Sequence, residues 1–162
     1  MALKTTGVPF EVIDYEVDMT SDQKTERSYK PSKRPDFPYN TNLFHINPSR
    51  LPLLWDHFNK PSLVGRYNIG VWYWELPVFP DKWAFSFGLV DEIWVASKFV
   101  QESIQAKSPV PVVIIPPCIS VKIDPRFDRS SFNLPEDTFL FLCAYDVLSI
   151  QARKNPQGAV DA

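Results

Sequence analysis

The sequence predicts an α/β protein built on a parallel sheet, and three observations support this fold class. Short runs rich in β-branched and aromatic residues recur along the chain, and segments with helical spacing or a helix cap separate them. Most of the 16 prolines flank these apolar runs and mark loop boundaries. Hydrophobic residues make up 44% of the chain, which is enough for a core and too many for a disordered protein.

The first part of the chain contains two predicted strands, one helix and a long loop. A strand is predicted at Val8–Val17, followed by a polar loop without periodicity at Asp18–Asn40. A short apolar strand is predicted at Leu43–Ile46. The segment Pro48–Asn59 begins with proline and then places apolar side chains at helical spacing, which predicts a helix.

The next part alternates strands with helices. Strands are predicted at Arg66–Trp74, Glu92–Ala96 and Val110–Ile115. Helices are predicted at Asp81–Phe87, with Asp81 as its cap, and from the N-cap Ser97 to about Ala106. This alternation favours a mostly parallel, Rossmann-like sheet with helices on both faces, and it assigns residues 1–121 to one domain.

After Ile119 the pattern changes. Residues 122–137 are polar, carry two prolines and show no periodicity, as expected for an interdomain linker. The apolar run Phe139–Ala144 then predicts the first buried strand of a second parallel sheet, in a domain that covers residues 138–162. Because the chain ends one or two turns into the helix after this strand, the sequence predicts a fragment of a longer protein.

Composition excludes several functional classes. A net charge of −2 gives no electrostatic footprint for nucleic acid. Cys118 and Cys143 lie far apart without a Cys-x-x-Cys motif, which favours a reduced cytoplasmic setting over a disulfide framework or a zinc site. No apolar run approaches the ~18 residues of a membrane span. The N-terminus lacks the apolar region of a secretory signal, so a cytoplasmic protein is expected.

Arg153 and Lys154 are candidate anion ligands. They lie between the apolar run and a small-residue helical start, a position that corresponds to the ligand-binding loops of open α/β sheets. Cations are poorly placed at a helix N-terminus, so a bound phosphate would offset the unfavourable dipole. The alternative is a solvated pair at a helix start.

The segment around Trp72, Trp74 and Glu75 is the densest constellation of aromatic and charged side chains. It lies at the carboxyl end of a predicted strand, where two Trp and a Tyr could form a stacking wall for a sugar or a base and Glu75 could supply a polar contact. The alternative, which residue types alone favour, is that the alternating aromatic rings simply pack on two helical layers. His45 and His57 have no catalytic partner in the sequence and receive no role.

The order of these segments resembles a known family. The segments at residues 68–77, 91–100 and 112–117 resemble the second half of the N-terminal domain of retaining glycosyltransferases of the group 1 (family 4) type. Residues 132–135 and 139–162 resemble the start of that family's C-terminal domain, and residues 2–14 resemble the end of its first helix and the following strand. The most specific part is Arg153-Lys154-Asn155-Pro156.

The resemblance implies a fold, an activity and roles for named residues. It implies two Rossmann-like domains that face each other across a cleft (the GT-B fold), a nucleotide-sugar donor, a saccharide or glycolipid acceptor, and neither a cofactor nor a metal. Lys154 would stabilise negative charge on the donor diphosphate as a catalytic residue, and Arg153 would be a second phosphate contact. Trp72, Trp74 and Glu75 would line the acceptor cleft.

The chain also departs from the family pattern. Tyr145 and Asp146 occupy the region where many members carry an arginine, and Trp74-Glu75 stand where many carry a histidine. The family's first strand, its Gly-rich acceptor loop and most of its donor domain are missing, so the fragment alone is expected to be inactive. The alternative function is a non-catalytic α/β module that binds a carbohydrate or a partner through Trp72–Trp74.

Overall fold

The computed structural model describes residues 2–13, 38–58, 63–147 and 151–162, without the side chains of residues 2 and 153. The chain divides into unit 1, Met1–Ile119, and unit 2, Ser120–Ala162. The predicted boundary after residue 121 falls near this division. Each unit has its own internal structure, and the sheet belongs to unit 1.

Unit 1 contains a four-stranded parallel sheet in which the strands follow one another in chain order. The strands are β1 (Thr41–Phe44), β2 (Tyr67–Val71), β3 (Glu92–Val95) and β4 (Val112–Ile114). The α/β fold with a Rossmann-like parallel sheet is therefore confirmed. The first of these strands begins earlier than predicted, because Thr41 already pairs with Tyr67.

A helix connects each pair of neighbouring strands. These helices are α1 (Leu51–His57), a 3₁₀ helix (Asp81–Leu89) and α2 (Lys98–Gln105). The predicted cap of α2 is confirmed, because the Ser97 hydroxyl accepts a hydrogen bond from the Val100 amide at 3.4 Å. Asp81 does not cap its helix. Its carboxylate instead accepts a hydrogen bond from Lys107 Nζ at 2.5 Å, which ties the start of the 3₁₀ helix to the end of α2.

The main core lies between the sheet and these helices. Alternate strand residues point to this side, which we call the helix face. They pack against buried residues of all three connecting helices. The cluster includes Phe44, Trp72, Ile93, Val95 and Val112 from the strands and their ends, and Leu51, Leu54, Phe87 and Ile104 from the helices.

Among the described residues, the helices cover one face of the sheet and not the two that the sequence predicts. Ile69 is buried at 7% exposure but lies outside the core cluster, and Val71 and Trp94 on its side of the sheet are only partly buried. The strand order explains the difference. Parallel crossovers are almost always right-handed, so strands that advance in one direction place every crossover on the same side.

A buried asparagine joins the first strands at their amino ends. The side chain of Asn68 is 6% exposed, and its Oδ1 accepts a hydrogen bond from Asn42 Nδ2 at 2.9 Å. Its Nδ2 donates to the carbonyl of Leu63 at 3.2 Å. The backbone N–H of Asn68 donates to Asp91 Oδ2 at 2.7 Å. These bonds satisfy the buried amide and fix the start of β2, so Asn68 has a structural role.

The N-terminal predictions are only partly covered by the described residues. A short 3₁₀ helix occupies Ala2–Thr5. Within the predicted strand Val8–Val17, residues 8–12 form no strand, Ile13 forms an isolated bridge, and the remainder lies outside the described residues. The predicted loop Asp18–Asn40 also lies outside them, apart from residues 38–40.

Unit 2 contains short helices: a 3₁₀ turn at Ser130–Phe132, α3 (Gln151–Lys154) and α4 (Pro156–Asp161). The predicted strand Phe139–Ala144 is wrong for this structure, because these residues pair with no strand in the described part of the chain. An apolar run becomes a strand only when another strand satisfies its backbone N–H and C=O groups. No described segment of unit 2 does so.

Candidate functional site

The carboxyl ends of the four strands meet at one edge of the sheet, where open α/β sheets bind ligands. His45 and Asn47 follow β1 at this edge, and residues 72–75 follow β2. Ser97 follows β3 and starts α2. We call this group of strand ends the carboxyl edge, and it is the candidate functional site of unit 1.

The chain after β2 is held in place by two hydrogen bonds. The amide of Tyr73 donates to Asn47 Oδ1 at 3.0 Å, which fixes this stretch to the end of the neighbouring strand. The indole of Trp74 donates to the carbonyl of Val78 at 2.9 Å and closes the turn that contains Pro77. Neighbouring side chains therefore extend from a fixed backbone.

Side chains after β2 alternate between the interior and the solvent. Trp72 is fully buried and Trp74 is partly buried, whereas Tyr73 is 48% exposed and Glu75 is exposed. Glu75 is therefore accessible, as an acceptor-cleft residue would have to be, and Trp74 also reaches the surface. Tyr73 belongs to the Trp72–Trp74 segment that the sequence selected, and it is the most exposed aromatic residue of that segment.

Trp72 does not line a cleft, and its predicted place in the acceptor site is wrong. Its indole stacks on Phe79, with ring centroids 6.1 Å apart and planes inclined by 6°. It also contacts Phe87 at 5.6 Å. Helices cover this face of the sheet, so a side chain that points there enters the core. For Trp72 the alternative interpretation is therefore correct: its ring packs against the helices and does not bind a ligand.

Trp74 connects the core to the carboxyl edge. Its ring meets Trp83 of the 3₁₀ helix edge-on at 5.0 Å and Phe79 at 6.1 Å. Lys82 Nζ lies 5.0 Å from the centroid of Trp83, a cation–π contact next to this pair. Packing therefore fixes the orientation of Trp74 while part of its surface stays accessible.

His45 is a residue that the sequence reasoning passed over. It directly follows β1 and lies at the same edge as Tyr73 and Glu75. Partial burial lowers the pKa of His45, because a desolvated imidazolium is disfavoured. The neutral imidazole can exchange hydrogen bonds with a hydroxyl group. The sequence did not indicate this position, because the predicted strand Leu43–Ile46 contains His45, whereas β1 ends at Phe44.

Arg153 and Lys154 occupy a different local structure from the predicted one. They form the end of the short helix α3, where the sequence predicts a loop, and the Asn155 amide donates to the carbonyl of Gln151 at 2.9 Å. Asn155 then adopts a left-handed conformation and caps α4 through Gly158. Lys154 is exposed. The pair therefore lies at the end of α3 and directly before the N-cap of α4, the helix start that the sequence predicts.

Two further findings concern the described residues. They contain no group of three or more His, Cys, Asp or Glu side chains that could hold a metal ion. No helix in the described part of the chain is long and apolar enough to cross a membrane.

No protein family, curated protein or solved structure matches this chain. The functional interpretation therefore depends on the geometry of the carboxyl edge and on the order of sequence segments.

Proposed function

We propose that the chain functions in glycosyl transfer from a nucleotide-sugar donor with retention, and that unit 1 binds the acceptor. The observation that carries this proposal is the carboxyl edge itself. There an exposed phenol, a partly exposed indole and an exposed carboxylate follow one strand, at Tyr73, Trp74 and Glu75. The resemblance of the segment order to retaining glycosyltransferases supports the assignment to transfer chemistry.

The residue types at this edge suit a saccharide. Aromatic rings pack against the apolar faces of sugar rings, and a carboxylate accepts hydrogen bonds from sugar hydroxyls. The hydrogen bond from the Tyr73 amide to Asn47 fixes the backbone before any ligand arrives, which lowers the entropic cost of binding. His45 adds a neutral imidazole that can accept a hydrogen bond from an acceptor hydroxyl.

Unit 2 supplies the proposed donor contact. In glycosyl transfer, negative charge develops on the diphosphate as the sugar leaves, and a fixed cation there stabilises the transition state. The ammonium of Lys154 is solvent-exposed at the end of α3 and suits this role. Loss of one such contact lowers turnover by roughly 100- to 1000-fold in well-studied enzymes. Arg153 is the proposed second phosphate contact.

Acceptor binding is tested by saturation-transfer NMR of the whole chain with a panel of mono- and disaccharides. We expect Tyr73→Ala and Glu75→Gln to weaken binding of the responding sugar about tenfold, equivalent to about 1.4 kcal/mol. The matched controls are Tyr39→Ala and Glu136→Gln, which change exposed residues outside the carboxyl edge. If no saccharide binds, or the controls weaken binding equally, the acceptor proposal fails.

Donor binding is tested separately with nucleoside diphosphates by phosphorus NMR and calorimetry. Lys154→Ala should weaken binding, whereas Lys122→Ala, another exposed lysine of unit 2, should not. Because the chain alone is expected to be inactive, diphosphate binding is the property compared between these variants. Equal effects of both substitutions would remove Lys154 from the donor site.

A carbohydrate-binding module without transfer chemistry is the second candidate. It is favoured by one observation: Tyr73, Trp74 and Glu75 all belong to unit 1, so the proposed saccharide contacts need no residue of unit 2. Saccharide binding that is unaffected by Lys154→Ala, with no binding of any nucleoside diphosphate, would support this candidate over the enzyme.

A further inference from the structure

A continuous apolar segment of unit 2, residues 139–145, is exposed to solvent. Phe139 is 78% exposed, and Phe141 and Leu142 are both 93% exposed. The segment contains no charged residue, no proline and no glycine. Among the described residues, none of its backbone N–H or C=O groups takes part in a backbone–backbone hydrogen bond. This combination is the signature of a segment that pairs with another β-strand.

The start of this segment is held by one arginine. Arg129 Nη1 donates to the carbonyls of Thr138 at 2.7 Å, Pro135 at 2.8 Å and Glu136 at 3.1 Å. The rings of Phe139 and Phe141 contact each other, with centroids 4.9 Å apart. The segment therefore begins at an anchored point and presents two aromatic rings side by side.

We propose that residues 139–145 form a self-association site, in which the segment pairs as an antiparallel strand with the same segment of a second copy of this chain. Charge is the first argument. The seven residues carry no charge, so a charged partner gains nothing there, whereas two copies of the segment pair without like charges at the paired positions. The second argument is that pairing satisfies the open backbone groups of both copies at once.

The two-fold symmetry of a dimer defines the register. All seven residues pair when the axis passes through the central residue, Leu142. Phe139 then lies opposite Tyr145 of the second copy, and Phe141 lies opposite Cys143. Cross-strand aromatic pairs of this kind stabilise antiparallel sheets. Every other register leaves apolar residues at the ends unpaired.

The extent of the segment determines the strength of the association. A strand of seven residues is about 23 Å long. Stable protein interfaces bury about 800 Å² on each partner, and one strand covers less than this. The association is therefore reversible and depends on protein concentration.

Sedimentation velocity of the whole chain over a wide concentration range tests the proposal. We expect the wild-type chain to associate as its concentration rises. Phe141→Lys introduces a charge into the pairing segment and should shift the association midpoint to a roughly tenfold higher concentration. This shift corresponds to about 1.4 kcal/mol in the free energy of association. The matched control is Phe85→Lys, since Phe85 is 55% exposed in unit 1. This control should associate like the wild type.

Two outcomes of this measurement overturn the proposal. One is a wild-type chain that stays monomeric at every concentration. The other is an equal effect of Phe141→Lys and Phe85→Lys. Circular dichroism checks that both variants keep their fold, and Phe141 lies outside the core cluster of unit 1, so Phe141→Lys should leave thermal unfolding of that unit unchanged.

The exposed cysteines report where the copies meet. In the proposed register the two Cys143 residues are diagonal neighbours about 7–8 Å apart, within reach of a short bis-maleimide. The Cys118→Ser chain should therefore form a cross-linked dimer, and the Cys143→Ser chain should not. If the cross-linked dimer forms only when both cysteines are present, Cys143 of one copy lies near Cys118 of the other, in the chain after β4. That result would overturn the pairing of residues 139–145 with the same segment of a second copy.

Discussion

The indole of Trp72 lies directly over Gly70 on the helix face of the sheet. A Cβ atom on Gly70 would stand 2.5 Å from Trp72 Nε1 and 2.9 Å from its Cε2. Because residues i and i+2 of an extended chain point to the same side, the large ring at 72 needs an empty position at 70. Phe79 and Phe87 hold the ring from the other side, so it has little room to move.

Gly70→Ala should therefore destabilise unit 1. We expect a loss of about 1–3 kcal/mol in the free energy of unfolding, the usual result of overpacking a core. Urea denaturation followed by tryptophan fluorescence measures it. Gly88→Ala is the control, since a Cβ on Gly88 would meet nothing within 4 Å. The stability of this variant should be equal to that of the wild type or slightly higher.

The double variant Gly70→Ala/Trp72→Phe tests whether the indole is the cause. A phenyl ring is smaller and also removes the Trp72 Nε1–H, which is buried and has no partner among the described groups. Gly70→Ala should then lower the free energy of unfolding less in the Trp72→Phe chain than in the wild-type chain. A double-mutant cycle measures this coupling. Additive effects would mean that Gly70 is needed for another reason.

Ser97→Ala should destabilise α2. The serine hydroxyl is the group that satisfies the Val100 amide at the start of the helix, and loss of such a cap costs about 1 kcal/mol. Ser97→Asp is the matched control, because aspartate also caps and its charge favours a helix N-terminus. Thermal denaturation compares the two. If Ser97→Asp is as unstable as Ser97→Ala, the serine stabilises the protein by something other than helix capping.

Asp128 should make the loop at 128–131 sensitive to acid. Its carboxylate accepts hydrogen bonds from the hydroxyl of Ser130 at 2.8 Å and from the amide of Ser131 at 2.9 Å. These bonds lower the pKa of Asp128 from 3.8 to about 2. Since the folded-state pKa is depressed, the loop keeps this stabilisation above pH 3.8 and loses it as the pH falls through about 2.

NMR of the Ser131 amide follows this transition directly. Its chemical shift should titrate with a midpoint near pH 2 in the wild-type chain. Asp128→Asn keeps the shape of the side chain and removes the charge, so the titration should vanish. A midpoint near 3.8, the ordinary value, would show that the hydrogen bonds do not form in solution.

Removal of residues 123–162 should leave the stability of unit 1 unchanged. The core cluster of unit 1 runs from Phe44 to Val112 and contains no residue of unit 2. Removal of the exposed run 139–145 should also raise solubility. Scanning calorimetry compares the two chains. A much lower melting temperature after the deletion would mean that unit 2 contributes to the first core.

One local feature, the cap at Ser97, could be predicted from the sequence, whereas the cap at Asp81 was lost because its carboxylate bonds Lys107, which is distant in the chain. The cap at Ser97 depends on residues within one turn, so its prediction was correct. The strand at Phe139–Ala144 was wrong because strand formation needs a partner that the sequence pattern cannot supply. The same apolar pattern describes a paired strand and an exposed segment.

The carboxyl edge was only partly predictable for a similar reason. Alternation alone indicates that Trp72 and Tyr73 point in opposite directions, but it does not say which direction is covered. The positions of the helices decide this, and they cover the side of Trp72. The sequence therefore selected the correct segment, Trp72–Trp74, but it could not show that Trp72 is buried while Tyr73 is exposed.

The order of the strands has a consequence for how unit 1 folds. Every strand pairs with the one immediately before it in the chain, from β1 with β2 to β3 with β4. Each pairing closes a single short crossover, so the contact order of the sheet is low for a parallel arrangement, and low contact order accompanies fast folding. During synthesis, β3 can add to the finished β1–β2 edge, and β4 can then add to β3, without waiting for any later part of the chain.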